Sequence, residues 1–377
     1  MRITNEVFGL LDTDKDCFRE TDALNTDEKY INFRNGILDL DTMKMLPHSP
    51  EILSTIQIPC DYNPNVTKPK DSHFENYLMH LCENDSKRVN LVLEMMGVAL
   101  SNVPAYKAKK AFFMVGEGNT GKSQAKELIA RMIGGEYVSS VDLGTLENRF
   151  GTSLIYGKRL AGSSDMGYMK IEELKLFKQI TGGDTIAAEF KGENGFSFKY
   201  KGLLWFCCND MPKFGGDKGD HVYDRMIILE CNNYVEKKDP DLLDKMYAER
   251  EYIAYLCVLS LKRFIERGCK YTEPDCTVQA VERYKTVNDS PLSFIEECTE
   301  PKNGRYVYTT KDVHDAYKQW CRETGEYTVK LSEFKRSLDR GRKGETTFTK
   351  GIRYYSQFQL NDEGKRMLSA VSKEPCY

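Results

Sequence analysis

The chain has 377 residues, 40% of them hydrophobic and 29% charged, with a formal charge of −3. That length predicts two or three domains rather than one core. The balance is that of a soluble globular protein; it excludes a globally basic nucleic-acid coat, though not local basic surfaces. Twelve cysteines are scattered singly apart from Cys207–Cys208. With no C-x-x-C pair a zinc site is not expected, and the thiols read as reduced, small core hydrophobes. Met1–Asp12 lacks an apolar stretch of the secretory kind, and no apolar run approaches the ~20 residues of a membrane span. The expected location is a cytoplasm.

The first twenty or so residues are acidic and polar and are expected to be loosely ordered. Tyr30–Leu46 reads as a hairpin turning at Asn35-Gly36. Pro47, Pro50, Pro59, Pro64 and Pro69 then punctuate a loop-rich passage. Phe74, Tyr77, Leu78 and Leu81 recur at helical spacing, as do Val89, Val92, Leu93 and Met96. Ala111–Val115 is a short apolar run suited to a buried strand. An amphipathic helix starts at Ser123, with Ala125, Leu128, Ile129, Met132 and Ile133 on one face. Further strands are expected at Leu160–Ser164, Leu203–Cys208 and Met226–Glu230, and the alternation of strands and helices predicts an α/β sheet.

Around Cys269–Ser290 the periodicity lapses, which predicts a linker over 271–289. Beyond it, a helix carries Val313, Ala316, Tyr317 and Trp320, and a second carries Leu331, Phe334 and Leu338. A strand–turn–strand stretch follows at Thr346–Leu360. Helix, helix, then hairpin is the order of a winged-helix module.

The strongest motif is Gly116-Glu117-Gly118-Asn119-Thr120-Gly121-Lys122-Ser123. It fits G-x-x-x-x-G-K-[ST] and lies between an expected strand and an expected helix, where a phosphate cradle has to be. Glycines let backbone N–H groups turn inward, and the helix N-terminus adds partial positive charge. Lys122 can reach the β- and γ-phosphates, and the Ser123 hydroxyl can ligate Mg²⁺. No N-K-x-D motif follows, so ATP is preferred to GTP as the nucleotide.

Phosphoryl transfer to water also needs an acid on Mg²⁺ or on the water. Asp165, at the end of the Leu160–Ser164 strand, is the candidate, against a plain loop aspartate; Glu172 and Glu173 are fallbacks. Asn209, ending Leu203–Cys208, offers an amide to the γ-phosphate or the attacking water, or else caps the turn before Pro212. Arg225, before Met226–Glu230, is either an arginine finger for a neighbouring subunit or a surface partner of Asp224 or Asp220.

Phosphate loop, acid, amide and arginine in this order, within about 110 residues, resemble the superfamily 3 helicases, in particular the phage and plasmid primase/helicase group of D5-like, P4-type proteins. Phe33-Arg34-Asn35-Gly36-Ile37-Leu38-Asp39-Leu40 with Pro47-His48-Ser49-Pro50 resembles that group's N-terminal helicase-associated region. Leu174–Asp184, ending Thr181-Gly182-Gly183-Asp184, and Asn209-Asp210-Met211-Pro212 resemble two more of its segments.

The resemblance implies an AAA+-like P-loop core over 85–270, an N-terminal helicase-associated region over 1–84 and a winged-helix domain over 290–377. It makes Gly116–Ser123 Walker A, Asp165 the Walker B acid, Asn209 sensor 1 and Arg225 the arginine finger. It also implies ATP with Mg²⁺, a homohexameric ring and 3′→5′ movement on single-stranded DNA. Two positions depart from the group: Asp165 stands where Glu is common, and Glu189 near where a basic residue is common. Members often carry a primase domain, for which this chain is too short, so a separate primase is an expected partner.

Glu189–Lys201 alternates around a Gly/Asn-rich tip and reads as a hairpin. In superfamily 3 rings a hairpin here follows the DNA strand in the channel, which gives Lys191 a phosphate contact and Phe190 or Phe196 a stacking one. From Thr328 to Arg353, eight Lys/Arg face three acids. Lys335, Arg336 and Arg340 project from one side of their helix, suited to duplex DNA or simply to solvent. Three rivals use the same motifs: an origin-binding initiator with ATP as an assembly switch, a P-loop phosphotransferase, and an inactive structural ATPase.

Overall fold

The computed structural model describes residues 24–171, 174–214 and 219–371. The expected loose order of the first twenty residues, and the fallback acids Glu172 and Glu173, fall outside them. Two compact units are present, Met1–Ala280 and Val281–Tyr377.

The first unit opens with an antiparallel sheet of β1 (Tyr30–Phe33), β2 (Gly36–Asp39) and β3 (Lys44–Leu46). Phe33 pairs with Gly36, so the turn residues are Arg34-Asn35 rather than the expected Asn35-Gly36. Gly36 is needed for a different reason: its φ is 145° and a Cβ would stand 2.6 Å from the Leu46 carbonyl of β3.

Helix α1 (His73–Leu81) buries Phe74, Tyr77, Leu78 and Leu81, the four residues its spacing singled out. The Glu249 carboxylate accepts from the Phe74 N–H at 3.3 Å and the His73 N–H at 2.7 Å, placing negative charge at the helix N-terminus. Helix α2 (Ser86–Leu100) is buried on most of its surface. A Cβ at its Gly97 would lie 2.6 Å from the carbonyl of Cys257, a close approach to another helix that only glycine permits.

The central sheet has five strands: β4 (Ala111–Val115), β5 (Val138–Ser139), β6 (Leu160–Ala161), β10 (Leu203–Cys208) and β12 (Met226–Glu230). All pairings are parallel and the order is β12-β4-β10-β6-β5. The fold class is therefore α/β, as expected. Parallel strands covered on both faces read as unbroken apolar runs, and every residue of Leu203–Cys208 is buried. Helix α3 (Lys122–Ile133) leaves the end of β4 through the glycine-rich loop. The strand expected to run to Ser164 pairs over only Leu160 and Ala161.

Smaller pieces complete this unit. Strands β7 (Lys170–Ile171) and β11 (Lys213–Phe214) pair in parallel. Helix α4 (Lys175–Gly182) precedes a hairpin of β8 (Thr185–Ala188) and β9 (Phe196–Lys199). The hairpin expected over Glu189–Lys201 thus has its first arm earlier, and Glu189–Gly195 form its loop. Helices α5 (Leu242–Ala248) and α6 (Arg250–Glu266) follow. One apolar core joins Phe33, Phe74 and Leu78 to Phe112, Leu128, Trp205 and Phe264. The regions expected at 1–84 and 85–270 therefore share a core.

Where a linker was expected over 271–289, the chain forms helix α7 (Asp275–Asn288), and the division between the units falls inside it. The second unit runs α8 (Ser290–Cys298), β13 (Thr299–Pro301), α9 (Thr310–Thr324), α10 (Leu331–Arg340), β14 (Thr346–Thr349), β15 (Ile352–Tyr355), β16 (Phe358–Leu360) and α11 (Asp362–Val371). β14 and β15 form a hairpin, while β16 pairs with β13. Phe294, Tyr317, Trp320, Phe334 and Leu338 form its core. Thr309 and Asp312 make a reciprocal capping box at the start of α9, satisfying two backbone N–H groups that would otherwise lack partners.

Candidate nucleotide site and nucleic-acid face

Backbone pairing brings the expected loop and two expected residues to one edge of the sheet. Gly116 N donates to the Cys208 carbonyl at 3.2 Å, and Met166 N to the Cys207 carbonyl at 2.7 Å. The loop Gly116–Ser123, Asp165 and Asn209 consequently stand at the C-terminal ends of β4, β6 and β10. Open parallel sheets bind ligands at that edge.

The loop has the conformation its glycines allow. Gly116 has φ 151°, and a Cβ there would collide with the Cys231 carbonyl; Gly121 has φ 90° and Gly118 faces open space. Asn119 also sits at positive φ, 64°. The ammonium of Lys122 lies inside, donating to the carbonyls of Gly116 at 2.6 Å and Glu117 at 2.7 Å, and to Thr120 Oγ1 at 3.2 Å. No side chain caps the N-terminus of α3, so its first N–H groups are served by no capping side chain. A phosphate chain would suit this loop, because a helix N-terminus without a capping side chain and a buried ammonium both favour an anion.

The Ser123 hydroxyl donates to the Ser164 carbonyl at 2.8 Å, which brings it beside the turn carrying Asp165. Asp165 is exposed, and its N–H donates to Ser163 Oγ at 3.2 Å. Among the described residues no group of three or more His, Cys, Asp or Glu could hold a metal ion. A Mg²⁺ ion here would be held by Ser123 and Asp165 together with phosphate and water oxygens, the usual arrangement for that ion. Asn209 is exposed directly after β10.

Arg225 stands elsewhere. Its carbonyl accepts from Ala111 N at 2.8 Å, at the start of β4, so it lies at the edge opposite the loop. Its guanidinium donates to the carbonyls of His221 at 3.0 Å and Lys178 at 3.1 Å, and to Thr181 Oγ1 at 3.1 Å. It thus reaches the last turn of α4, where a cation is favoured.

Two contacts in this region escaped the sequence reading. Lys126, 3% exposed, donates to the Gly162 carbonyl at 2.8 Å and lies 3.4 Å from Ser164 Oγ. Burial lowers its pKa from the usual 10.5. Its signal was its spacing, four residues after Lys122, which puts both amines on one side of α3. Tyr77 makes the other: its hydroxyl donates to the Gly121 carbonyl at 2.8 Å, a contact across 44 residues that no local pattern announces. The thiols of Cys207, Cys208 and Cys231 are pushed up to about 12 by burial, so they are inert packing groups.

On the β8–β9 hairpin, Phe190 stacks on Phe196 with ring centroids 5.2 Å apart, and Tyr156 meets Phe196 edge-on at 4.8 Å. Phe190 and Lys191 are both exposed. Glu189 accepts from Arg149 at 2.8 Å and 3.0 Å, so the departure from the group at this position is matched by a basic residue from a distant segment. In the second unit Arg336 is exposed and Lys335 half-buried. Arg340 donates to buried Asp289 at 3.1 Å and to Ser337 Oγ at 3.0 Å. Arg340 is exposed, as the helix pattern expected, and its charge is paired with that of Asp289.

The five-stranded parallel sheet, with a glycine-rich loop joining its strand β4 to helix α3, defines an α/β protein. A family described as "D5 N terminal like" matches residues 2–83, and a family of unknown function, DUF5906, matches residues 114–225. A putative helicase, 121R, of Invertebrate iridescent virus 3 is 25% identical over 343 residues, covering 80% of this chain and 36% of the relative. The chain thus spans about a third of that relative's length. Structures of the NrS-1 C terminal region align at 16% identity: one has TM-score 0.43 and covers 82% of both chains, another 0.42 with 78% of this chain and 76% of that one. The chain is thus similar over residues 2–83 to the D5 N terminal like family and over most of its length to a putative helicase. No described helix is long and apolar enough to cross a membrane.

Proposed function

We propose that this chain is the motor of an ATP-dependent replicative DNA helicase. In this reading ATP is held by Gly116–Ser123, with Lys122 on the β- and γ-phosphates and Ser123 and Asp165 on Mg²⁺. The metal would neutralise charge developing between the β- and γ-phosphates. Asn209 orients the γ-phosphate or the attacking water. Lys126 holds the strand end that carries Asp165.

The observation that carries the reading is the place of Arg225. It lies at the sheet edge opposite its own loop, so it can serve a γ-phosphate only from a neighbouring subunit. A ring of AAA+-like subunits, hexameric by the family resemblance, supplies that neighbour. The hairpin bearing Phe190 and Lys191 then follows single-stranded DNA, and the second unit, read as a winged helix, touches duplex DNA through Lys335 and Arg336.

ATP hydrolysis by the purified chain, with and without single-stranded DNA, tests this beside Lys122→Ala and Arg225→Ala. DNA-stimulated turnover that each substitution abolishes, and that mixing the two variants partly restores, is the expected result. Turnover indifferent to DNA, or an Arg225→Ala variant as active as the parent, would overturn it. Strand displacement on a forked duplex separates a helicase from an initiator that uses ATP only to assemble.

A further inference from the structure

A cleft of about 550 Å³ opens beside the loop, between α1 and the segment that follows β12. Asn76 and Tyr77 line one wall; Tyr234, Val235, Glu236 and Leu242 line the other. The sequence reading assigned it no role. Its volume falls in the ~300–1,000 Å³ range of small-molecule sites.

Both walls are fastened to the loop. Tyr77 Oη donates to the Gly121 carbonyl and Val235 N to the Asn119 carbonyl, each at 2.8 Å. The Tyr77 ring is so close that a Cβ on Gly121 would stand 3.2 Å from it. Cleft and cradle are therefore one construction, not two neighbouring features.

The strand order says which way a nucleotide must lie. Asp165 and Asn209 follow β6 and β10, on one flank of β4; β12 and the residues after it lie on the other flank. A γ-phosphate directed at Asp165 and Asn209 leaves its nucleoside to the β12 flank, where the cleft is. The lining suits a planar base: Tyr234 offers a ring face that is 57% exposed, Val235 and Leu242 are apolar, and Asn76 and Glu236 can meet polar ring edges and ribose hydroxyls.

Building on the nucleotide reading of the loop, we infer that this cleft receives the base and ribose of a nucleoside triphosphate, with Tyr234 stacking on the base. Helix α1 is then a working part of the nucleotide site, although it comes from the region expected to be merely helicase-associated.

The test is calorimetric titration of the full chain with ATP and, separately, with inorganic tripolyphosphate, both with Mg²⁺. Tyr234→Ala removes the stacking face and Asn76→Trp fills the cleft; both positions are exposed, so folding is spared. Each variant should bind ATP about tenfold more weakly and tripolyphosphate as the parent does. Lys122→Ala should weaken both ligands. If the cleft variants bind ATP like the parent while Lys122→Ala does not, the cleft inference fails and the loop reading stands. Equal loss of both ligands in the cleft variants also overturns it, because the cleft would then act through the loop. If the parent binds neither ligand, the loop reading falls and takes this inference with it.

Discussion

The Ser123 hydroxyl and the Ser164 carbonyl are joined by a 2.8 Å hydrogen bond, which ties the first turn of α3 to the strand end that carries Asp165. The contact crosses 41 residues of sequence and links the two positions proposed to share Mg²⁺. Ser123→Ala should lower ATP turnover at least about tenfold by removing a metal ligand. Ser123 is exposed, so thermal unfolding should hardly move. Unchanged turnover at saturating Mg²⁺ would remove Ser123 from the site.

Lys126 gives a pH signature. Burial holds its pKa below 10.5, so the unfolded chain binds a proton there that the folded chain has already released. Stability from this site therefore rises as pH climbs from the folded value to 10.5. In urea unfolding across an alkaline pH series, the parent should gain on Lys126→Met as pH rises. Parallel curves would contradict the assignment.

Arg340 and its neighbours should separate into two kinds. Arg340→Ala leaves buried Asp289 with Ser337 alone as a side-chain partner among the described residues, and should cost about 1–2 kcal/mol of stability after allowance for Arg340's partial exposure. Lys335→Ala and Arg336→Ala should leave stability alone. Each should instead lower the slope of log binding constant for duplex DNA against log salt by about 0.9. DNA binding that falls only with Arg340 would reverse this division.

The hairpin should behave as a stacking platform with one phosphate contact. Phe190→Ala should weaken single-stranded DNA binding by about 1 kcal/mol or more, with little dependence on base sequence. Lys191→Ala should reduce the salt slope by about 0.7. Fluorescence anisotropy with labelled homopolymers across a salt series reads both. A variant pair indistinguishable from the parent would leave the hairpin a packing element.

Much of this was legible beforehand. Ala111–Val115, Leu203–Cys208 and Met226–Glu230 are strands with the bounds the apolar runs indicated, because strands buried on both faces must be continuously apolar. The buried faces of α1 and α9 also followed from spacing. Less legible were elements whose stability comes from partners. Helix α7 occupies the expected linker, and Leu160–Ala161 pairs for only two residues before the chain turns to carry Asp165.

The sequence by itself determined the strand–loop–helix unit with its lysine and serine, since glycine placement and apolar runs are local constraints. It also pointed to the candidate acid and amide, because each follows a strand. Tertiary structure alone decided the rest. Arg225 lies at the far sheet edge because the parallel pairing of β12 with β4 sets Met226 against Ala111, at the start of both strands. Tyr77 touches Gly121, Arg149 pairs with Glu189 and Arg340 with Asp289 because packing brings together segments 40 or more residues apart. Such pairings depend on the arrangement of whole elements, and no period or motif in a linear chain encodes them.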